Sequence, residues 1–467
     1  MIRLFRVFIP TSVVALLVSE TCLILSCYLL ATWWVLQFQV FDEFLIYLWY
    51  ESGLLRTALV ALSAVLGFYS IDLYSEIKVV SRIRLLQDLC QVMGIALLSQ
   101  GLISYALPPL RLGRGIMLYG SLLTMIALFG WRMFYSTYVV PMMGTQRLLF
   151  VGASPVVREM ADHILAHPQK GISIAGYLVN PESASLDLPG GAVLGEVREL
   201  RRIAEETKPD RIVIGLAERR DRLPMQDLLE LRFAGFLIEE AGVTYEAVCG
   251  RISTKNLRPS QLIFSGELGP RPASLAFQTL MNYTLSLLGA IMSLPLTIAV
   301  AVAVKLSSPG PIFYRQTRVG RNGAPFVVYK FRSMRADAEA DTGAVWASKD
   351  DPRVTRAGKW LRRLRLDELP QFFNVLRGEM SLVGPRPERP EFDQVLAEKI
   401  PYYRQRHCVK PGITGWAQIN HKYGDTLEDT IQKLEYDLYY IKHISPSFDA
   451  FIIFHTLKTM ILSRGAQ

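Results

Sequence analysis

The chain has 467 residues, 51% of them hydrophobic and only 20% charged, with a mean hydropathy of +0.24. That composition excludes a disordered, collagenous or secreted disulfide-rich protein, and a single ordinary soluble domain as well; two or three units, some in lipid, are expected. The excess of 51 Lys and Arg over 42 Asp and Glu gives +9, which suits an anionic membrane surface or phosphorylated substrates, without the long basic runs of a nucleic-acid-binding arm.

The first apolar stretch, Thr11–Leu36, is too long for a signal-peptide core and has no small-residue cleavage site at its end, so it reads as a retained membrane helix. Glu20 lies near its middle. Twelve Leu, Ile and Val residues at about −0.4 kcal/mol each outweigh one acid at about +3 kcal/mol, so the helix inserts, with Glu20 facing other helices. Further spans are expected at 52–71, 89–110 and 115–138. The loop between the first two carries Asp42, Glu43 and Glu51 and no base, whereas the N-terminus has Arg3 and Arg6 and the next loop Lys78, Arg82 and Arg84. This bias predicts a four-span helical bundle over residues 1–144 with both ends in the cytoplasm.

From about Gln146 the chain becomes soluble in composition. The apolar run Leu148 to Val151, the turn Gly152-Ala153-Ser154-Pro155 and a helical pattern read as strand, tight turn and helix, and later runs continue an alternating β and α order. A Rossmann-like α/β domain over residues 145–262 is expected. The turn offers one Gly and then Pro155 in place of Gly-x-Gly-x-x-Gly, which points to a regulatory or oligomerising role ahead of cofactor binding. His163 and His167 have i, i+4 spacing but no HExxH acid or third ligand, so they read as surface residues. The five cysteines, Cys22, Cys27, Cys90, Cys249 and Cys408, lack CxxC spacing and read as reduced thiols.

Between Arg271 and Lys305 no residue is charged, and residues 280–304 are long enough to cross a bilayer of about 30 Å. Pro295 lies near the centre and removes an amide donor, so a kinked helix that enters and leaves one leaflet competes with a straight span. A span would place everything after Lys305 outside, where nucleotide-activated substrates are not supplied. Re-entry would keep that region cytosolic, with its active face at the lipid surface.

The densest chemistry follows. Lys330-Phe331-Arg332-Ser333-Met334 follows a strand-like run from Phe326 to Tyr329, Leu366-Asp367-Glu368-Leu369-Pro370-Gln371 opens a helix-like one, and Gly384-Pro385-Arg386-Pro387-Glu388 forms a rigid turn. Asp367 and Glu368 at a helix start gain from the positive end of the dipole, and Pro370 is tolerated in a first turn. Adjacent helical side chains point about 100° apart, so the two acids should hold different jobs. A carboxylate can attack phosphorus or ligate Mg²⁺, which binds through one or two carboxylates plus substrate phosphates. Lys330 and Arg332, two residues apart on a strand, should share a face and stabilise charge on a transferring phosphoryl group. The turn around Trp416 suits either an aromatic anchor or a core tryptophan, and residues 446–462 read as an amphipathic helix lying in the interface.

In this order, together with Lys410-Pro411-Gly412-Ile413-Thr414-Gly415-Trp416-Ala417-Gln418, these segments closely resemble the bacterial sugar transferases known as monotopic polyprenyl-phosphate phosphoglycosyl transferases, from about Leu275 to the C-terminus. The four spans and the Rossmann-like middle domain resemble the long-form members that initiate exopolysaccharide or O-antigen synthesis. The resemblance implies a mixed α/β monotopic catalytic domain over residues 263–467, with a re-entrant helix at about 280–304 and Pro295 as its structural break. It implies Asp367 as the nucleophile taking phospho-sugar from a UDP-sugar, release of UMP, and collection of the phospho-sugar by polyprenyl phosphate. Glu368 would be the Mg²⁺-binding partner, and Lys330 and Arg386 would contact phosphate or substrate. Family members commonly place Ser directly before the breaking Pro; here Leu294 precedes Pro295 and Ser293 is one residue earlier. The expected setting is the bacterial inner membrane with the catalytic domain on its cytoplasmic face, a homodimer, and no nucleic-acid partner.

Overall fold

A computed structural model describes residues 2–4, 7–9, 11–71, 73–74, 79, 81–142, 144–180, 188–216, 223–255, 272–335, 337–338, 351–421 and 426–461. Arg6, Lys78 and Arg271, named above, lie outside them, as does residue 462 of the expected tail.

The N-terminal region is a bundle of α1 (Thr11–Leu36), α3 (Gly53–Ser70), α4 (Arg82–Ala106) and α5 (Arg114–Phe134), with the short α2 (Phe41–Trp49) between the first two. Leu16, Glu20, Ile24, Cys27, Tyr28 and Ala31 form one buried stripe on α1 at helical spacing. Close packing rests on small residues: a Cβ at Gly120 would stand 2.6 Å from the Tyr28 ring, and one at Gly67 2.6 Å from Val92. Glu20 faces its neighbours as expected, since Arg132 of α5 donates to both of its carboxylate oxygens at 2.6 and 3.0 Å and to Leu73 O at 3.0 Å.

The middle region holds a five-stranded, wholly parallel sheet: β1 (Gln146–Val151), β2 (Ile172–Val179), β3 (Val193–Glu196), β4 (Arg211–Ile214) and β5 (Leu237–Glu240), in the order β3-β2-β1-β4-β5. Its helices are α6 (Pro155–Ala166), α7 (Leu200–Thr207), α8 (Met225–Phe233) and α9 (Ala241–Cys249), with apolar cores on both faces of the sheet. The strand order reverses between β1 and β4, where doubly wound folds bind ligands. There Gly152 has φ 97° and a Cβ on it would lie 2.8 Å from the Leu216 side chain, so leucine covers the one glycine of the turn. His163 and His167 stack on each other, and His163 Nε2 accepts from Lys170 at 2.9 Å. Burial, together with the neighbouring Lys170, pushes the His163 imidazole down to about 3.

The third region begins with α10 (Pro272–Ser307), 36 residues whose helix is unbroken across Pro295. Such a helix measures about 54 Å if straight, nearly twice a hydrocarbon core. With Thr11–Leu36, Gly53–Ser70, Arg82–Ala106 and Arg114–Met142, the segment Leu275–Ser307 makes five helices long and apolar enough to cross a membrane by length and composition. One face of α10 is polar. Gln278 donates to Asp449, Asn282 Nδ2 donates to Ser381 Oγ at 2.8 Å and its Oδ1 accepts from Leu382 N at 3.2 Å, and Ser286 is fully buried. Near the other end Val300 and Val304 pack on Phe331 and Leu361. Both ends of α10 therefore rest on one and the same folded unit.

That unit contains the hairpin β6 (Phe313–Val319) and β7 (Pro325–Phe331), then α11 (Arg356–Arg363), a 3-10 turn Leu366–Glu368, α12 (Gln371–Leu376), β8 (Ser381–Val383), α13 (Pro390–Lys399), β9 (Gly412–Thr414), α14 (Trp416–Asn420), α15 (Leu427–His443) and α16 (Pro446–Ile461). Its core includes Trp416, Tyr439, Tyr440 and Phe448. Trp416 donates to Gly250 O at 2.7 Å and stacks on Tyr439, so of its two readings the core one holds. The expected amphipathic tail is α16, which packs on the end of α3: Tyr69 Oη and His455 Nε2 are 2.6 Å apart, and Lys458 donates to Tyr69 O at 2.7 Å.

Candidate active site

The hairpin carries Lys330 at the end of β7, paired with Tyr314, and hands the chain to the dyad turn through α11. Asn374 holds the two parts together. It is fully buried, accepts from Tyr329 N at 3.1 Å and donates to Val327 O at 2.7 Å, so α12 is fixed against the strand that bears Lys330. Arg365, at φ 53° and ψ 23°, turns the chain from α11 into the 3-10 turn. A left-handed non-glycine residue costs about 1–3 kcal/mol and tends to occur at functional sites.

Asp367 and Glu368 are both buried on that turn. Arg386 Nη2 donates to Glu368 Oε1 at 2.9 Å, Lys330 Nζ reaches the same oxygen at 3.4 Å, and Arg365 Nη1 lies 3.9 Å from Oε2. Burial alone would raise the Glu368 carboxyl, but Arg386, Lys330 and Arg365 overcome it and hold the group well below the usual carboxylate range. Asp367 differs: among the described residues no side chain comes within hydrogen-bond distance of its carboxylate. Burial, reinforced by the charge of Glu368, pushes it above the ordinary aspartate value. Lys330 is lowered by burial, with Glu368 opposing. Two adjacent acids thus have opposite environments, one clamped as an anion and the other uncommitted.

Four of the sequence-derived candidates, Asp367, Glu368, Lys330 and Arg386, converge. Arg332 does not, and the shared-face expectation is corrected here. The strand ends at Phe331, so alternation stops, and Arg332 donates to Pro309 O and Ser308 O at 2.7 Å each and to Val304 O at 3.3 Å. It satisfies carbonyls at and just past the C-terminal end of α10, where a cation is favoured. Pro295 sits within α10, and the carboxylates are on another element. Sequence reasoning missed Arg362, whose Nε donates to Ser333 Oγ at 3.2 Å, as well as Arg365 and Asn374. The signal for the first two was the run Leu361-Arg362-Arg363-Leu364-Arg365 just ahead of the acids; Asn374 left none. Behind Arg386 a further cation, Arg406, donates to Arg386 O at 3.0 Å and pairs with Asp437 at 2.9 Å, fixing the Pro-rich turn from within.

Among the described residues no group of three or more His, Cys, Asp or Glu side chains could hold a metal ion alone. The dyad nevertheless fits Mg²⁺, which needs only one or two carboxylates when substrate phosphates complete its shell. Glu368 Oε2 and the uncommitted Asp367 carboxylate are the available donors.

The arrangement is one of a buried carboxylate without a hydrogen-bonded partner among the described residues, beside fixed cations, on a unit joined to a long apolar helix. Sequence comparison agrees. The bacterial sugar transferase family matches residues 273–463. A UDP-N-acetylgalactosamine-undecaprenyl-phosphate N-acetylgalactosaminephosphotransferase of Aeromonas hydrophila is 45% identical over 48% of this chain and 52% of its own length. Two proteins described as UDP-glucose:undecaprenyl-phosphate glucose-1-phosphate transferase are similar over more of the chain. That of Xanthomonas campestris pv. campestris is 36% identical over 66% of this chain and 65% of its own, and that of Klebsiella pneumoniae is 36% identical over 69% of each. The chain spans about half of the first relative's length and just under two thirds of the second's. It belongs to the bacterial sugar transferase family.

Proposed function

We propose that the protein transfers a sugar 1-phosphate from a UDP-sugar to polyprenyl (undecaprenyl) phosphate, releasing UMP and giving a polyprenyl-diphosphate sugar, the first membrane step of exopolysaccharide or O-antigen synthesis. The observation that carries this reading is the contrast within the dyad: a buried Asp367 without a hydrogen-bonded partner among the described residues, next to a Glu368 held by Lys330 and Arg386. Free of such bonds, Asp367 has a lone pair available for phosphorus, and burial makes it a stronger nucleophile than an exposed aspartate. Its attack would form an aspartyl phospho-sugar and expel UMP, after which the phosphate oxygen of polyprenyl phosphate would attack the same phosphorus and regenerate the carboxylate. Lys330 and Arg386 are fixed in place by Glu368 before substrate arrives, so they stabilise charge on the transferring phosphoryl oxygens with little reorganisation. Glu368 Oε2 would hold Mg²⁺, which when bound neutralises phosphate charge.

The contacts of α10 support re-entry into one leaflet. A straight crossing would demand that the unit touching Gln278 and Asn282 also touch Val300 and Val304 from the opposite side of the bilayer. Re-entry leaves the site on the cytoplasmic face of a bacterial inner membrane, where nucleotide sugars are made, within reach of the acceptor's headgroup. In this reading the middle domain, with Leu216 over its glycine turn, serves a homodimer.

The test is incubation of purified protein or membranes with a panel of UDP-sugars and undecaprenyl phosphate, scoring UMP and lipid product for the wild type and Asp367→Asn. Turnover by the wild type and none by the variant is expected. Equal turnover would refute the nucleophile, and a panel without any wild-type turnover would refute the donor class.

A further inference from the structure

Arg365 is the cation around the dyad whose guanidinium makes no hydrogen bond among the described residues and touches Glu368 only by a long ion contact. Its amide donates to Arg362 O at 3.1 Å and its carbonyl accepts from Glu368 N at 3.2 Å, so the turn is closed by backbone alone. Its left-handed conformation suits glycine or asparagine better than arginine. Nothing in the turn calls for a guanidinium.

The other cations are anchored. Arg386 and Lys330 bind Glu368 Oε1, Arg362 binds Ser333 Oγ, and Arg332 binds carbonyls at the end of α10. Arg365 Nη1 stays 3.9 Å from Glu368 Oε2, beyond hydrogen-bond range, and its side chain keeps 28% exposure against 10% for Glu368. Among the described residues its guanidinium has no hydrogen-bonded partner. Its exposure is close to that of Arg386, at 31%, while Lys330, at 21%, is more enclosed. Charge points the same way. Asp367 and Glu368 lie among Lys330, Arg362, Arg365 and Arg386, so the bases outnumber the acids and the pocket is positive even before any Mg²⁺, as an anionic diphosphate requires.

Resting on the phosphoglycosyl-transfer reading, we infer that Arg365 binds the nucleotide-side phosphate of the donor and holds UMP as it leaves. An Asp367 carboxylate oxygen forms a bond to the sugar-linked phosphorus as the bond from that phosphorus to the bridging oxygen breaks. The electron pair goes to the bridging oxygen, which departs as a terminal phosphate oxygen of UMP, and no proton is needed. Charge is conserved: one carboxylate and a dianionic donor give a monoanionic aspartyl phosphodiester and dianionic UMP. The guanidinium donates to the oxygen on which charge develops, in a geometry that suits two phosphate oxygens at once. Lys330 and Arg386 remain with the phosphorus that stays on the enzyme.

The experiment uses the full chain in detergent or nanodiscs with undecaprenyl phosphate, comparing wild type with Arg365→Gly, Arg365→Asn and Arg365→Lys. UMP product inhibition, KM for the donor, KM for the lipid and thermal unfolding are read for each. Gly and Asn fit the backbone, so their unfolding temperatures should equal or exceed that of the wild type. Their UMP inhibition constant and donor KM should rise about tenfold or more, the worth of a charge-assisted hydrogen bond, with the lipid KM unchanged and Lys intermediate. UMP constants within twofold of wild type in the Gly and Asn variants would overturn the assignment. So would a fall in unfolding temperature without a change in UMP inhibition, since that describes a structural residue. A wild type that releases no UMP from any UDP-sugar removes the reaction and this role together; release by the wild type with unaltered inhibition in the variants removes the role alone.

Discussion

Asp367 and Glu368 are adjacent in sequence and share a turn, yet among the described residues the ion contacts fall on Glu368. Replacing each acid by its amide should therefore fail in different ways. On the proposed mechanism Asp367→Asn removes the attacking oxygen and is expected to lower UMP release by at least about 10³-fold, the scale at which loss of a nucleophile is felt. Glu368→Gln leaves Asp367 in place but frees Lys330 and Arg386, and a fall of about 10²–10³ in kcat is expected, typical of misplaced electrostatic groups. Arg332 gives the opposite control. Arg332→Met removes three hydrogen bonds to buried or half-buried carbonyls at the end of α10, so unfolding in detergent should shift down by about 2 kcal/mol or more while KM for the donor stays put. A raised donor KM with unchanged stability would contradict its structural place.

At the scale of elements, α10 and α16 meet in a polar cluster inside an apolar region. Asp449, on α16, is fully buried, and burial raises its carboxyl to about 7, with Gln278 and Tyr440 opposing. Tyr440 Oη donates to one carboxyl oxygen of Asp449 at 2.8 Å and lies 3.2 Å from Val383 O, while Gln278 donates to the other carboxyl oxygen. Because the folded chain keeps the carboxyl proton where the unfolded one, near 3.8, does not, the associated stability is complete below about pH 4 and is lost as pH rises through about 7. Asp449→Asn removes the titrating group and should flatten thermal unfolding across that window; an undiminished slope in the variant would place the titration elsewhere. This cluster also marks what was legible in the sequence. Hydropathy located α1, α3, α4, α5 and α10 because lipid demands long apolar runs, and the acid pair stood out because charge is rare beside them. Gln278 is far in sequence from Tyr440 and Asp449, and the three have no spacing signature. Arg332 was misassigned for a related reason, since a two-residue period holds only while the strand lasts and this one ends at Phe331.

Across the whole molecule, the middle domain and the catalytic unit are joined by buried charge. Arg251 bonds Glu159 of α6 at 2.6 Å and lies 3.6 Å from Glu435 of α15, while Lys442 binds Glu246 of α9 at 2.8 Å. Arg251→Ala would strip the buried Glu435 of its cation and leave Glu159 to the exposed Lys255, and should destabilise the joint by about 3–5 kcal/mol. Faster limited proteolysis between the two regions would report it, and an unchanged cleavage rate would argue against the coupling. A different consequence follows from Arg332, which ties the end of α10 to the strand bearing Lys330 two residues away. The depth at which the apolar helix floats is thereby passed to a lysine that steadies the dyad. Acyl-chain length then becomes a rate variable: reconstituted in short-chain and long-chain phosphatidylcholine, the protein should show one thickness at which turnover peaks.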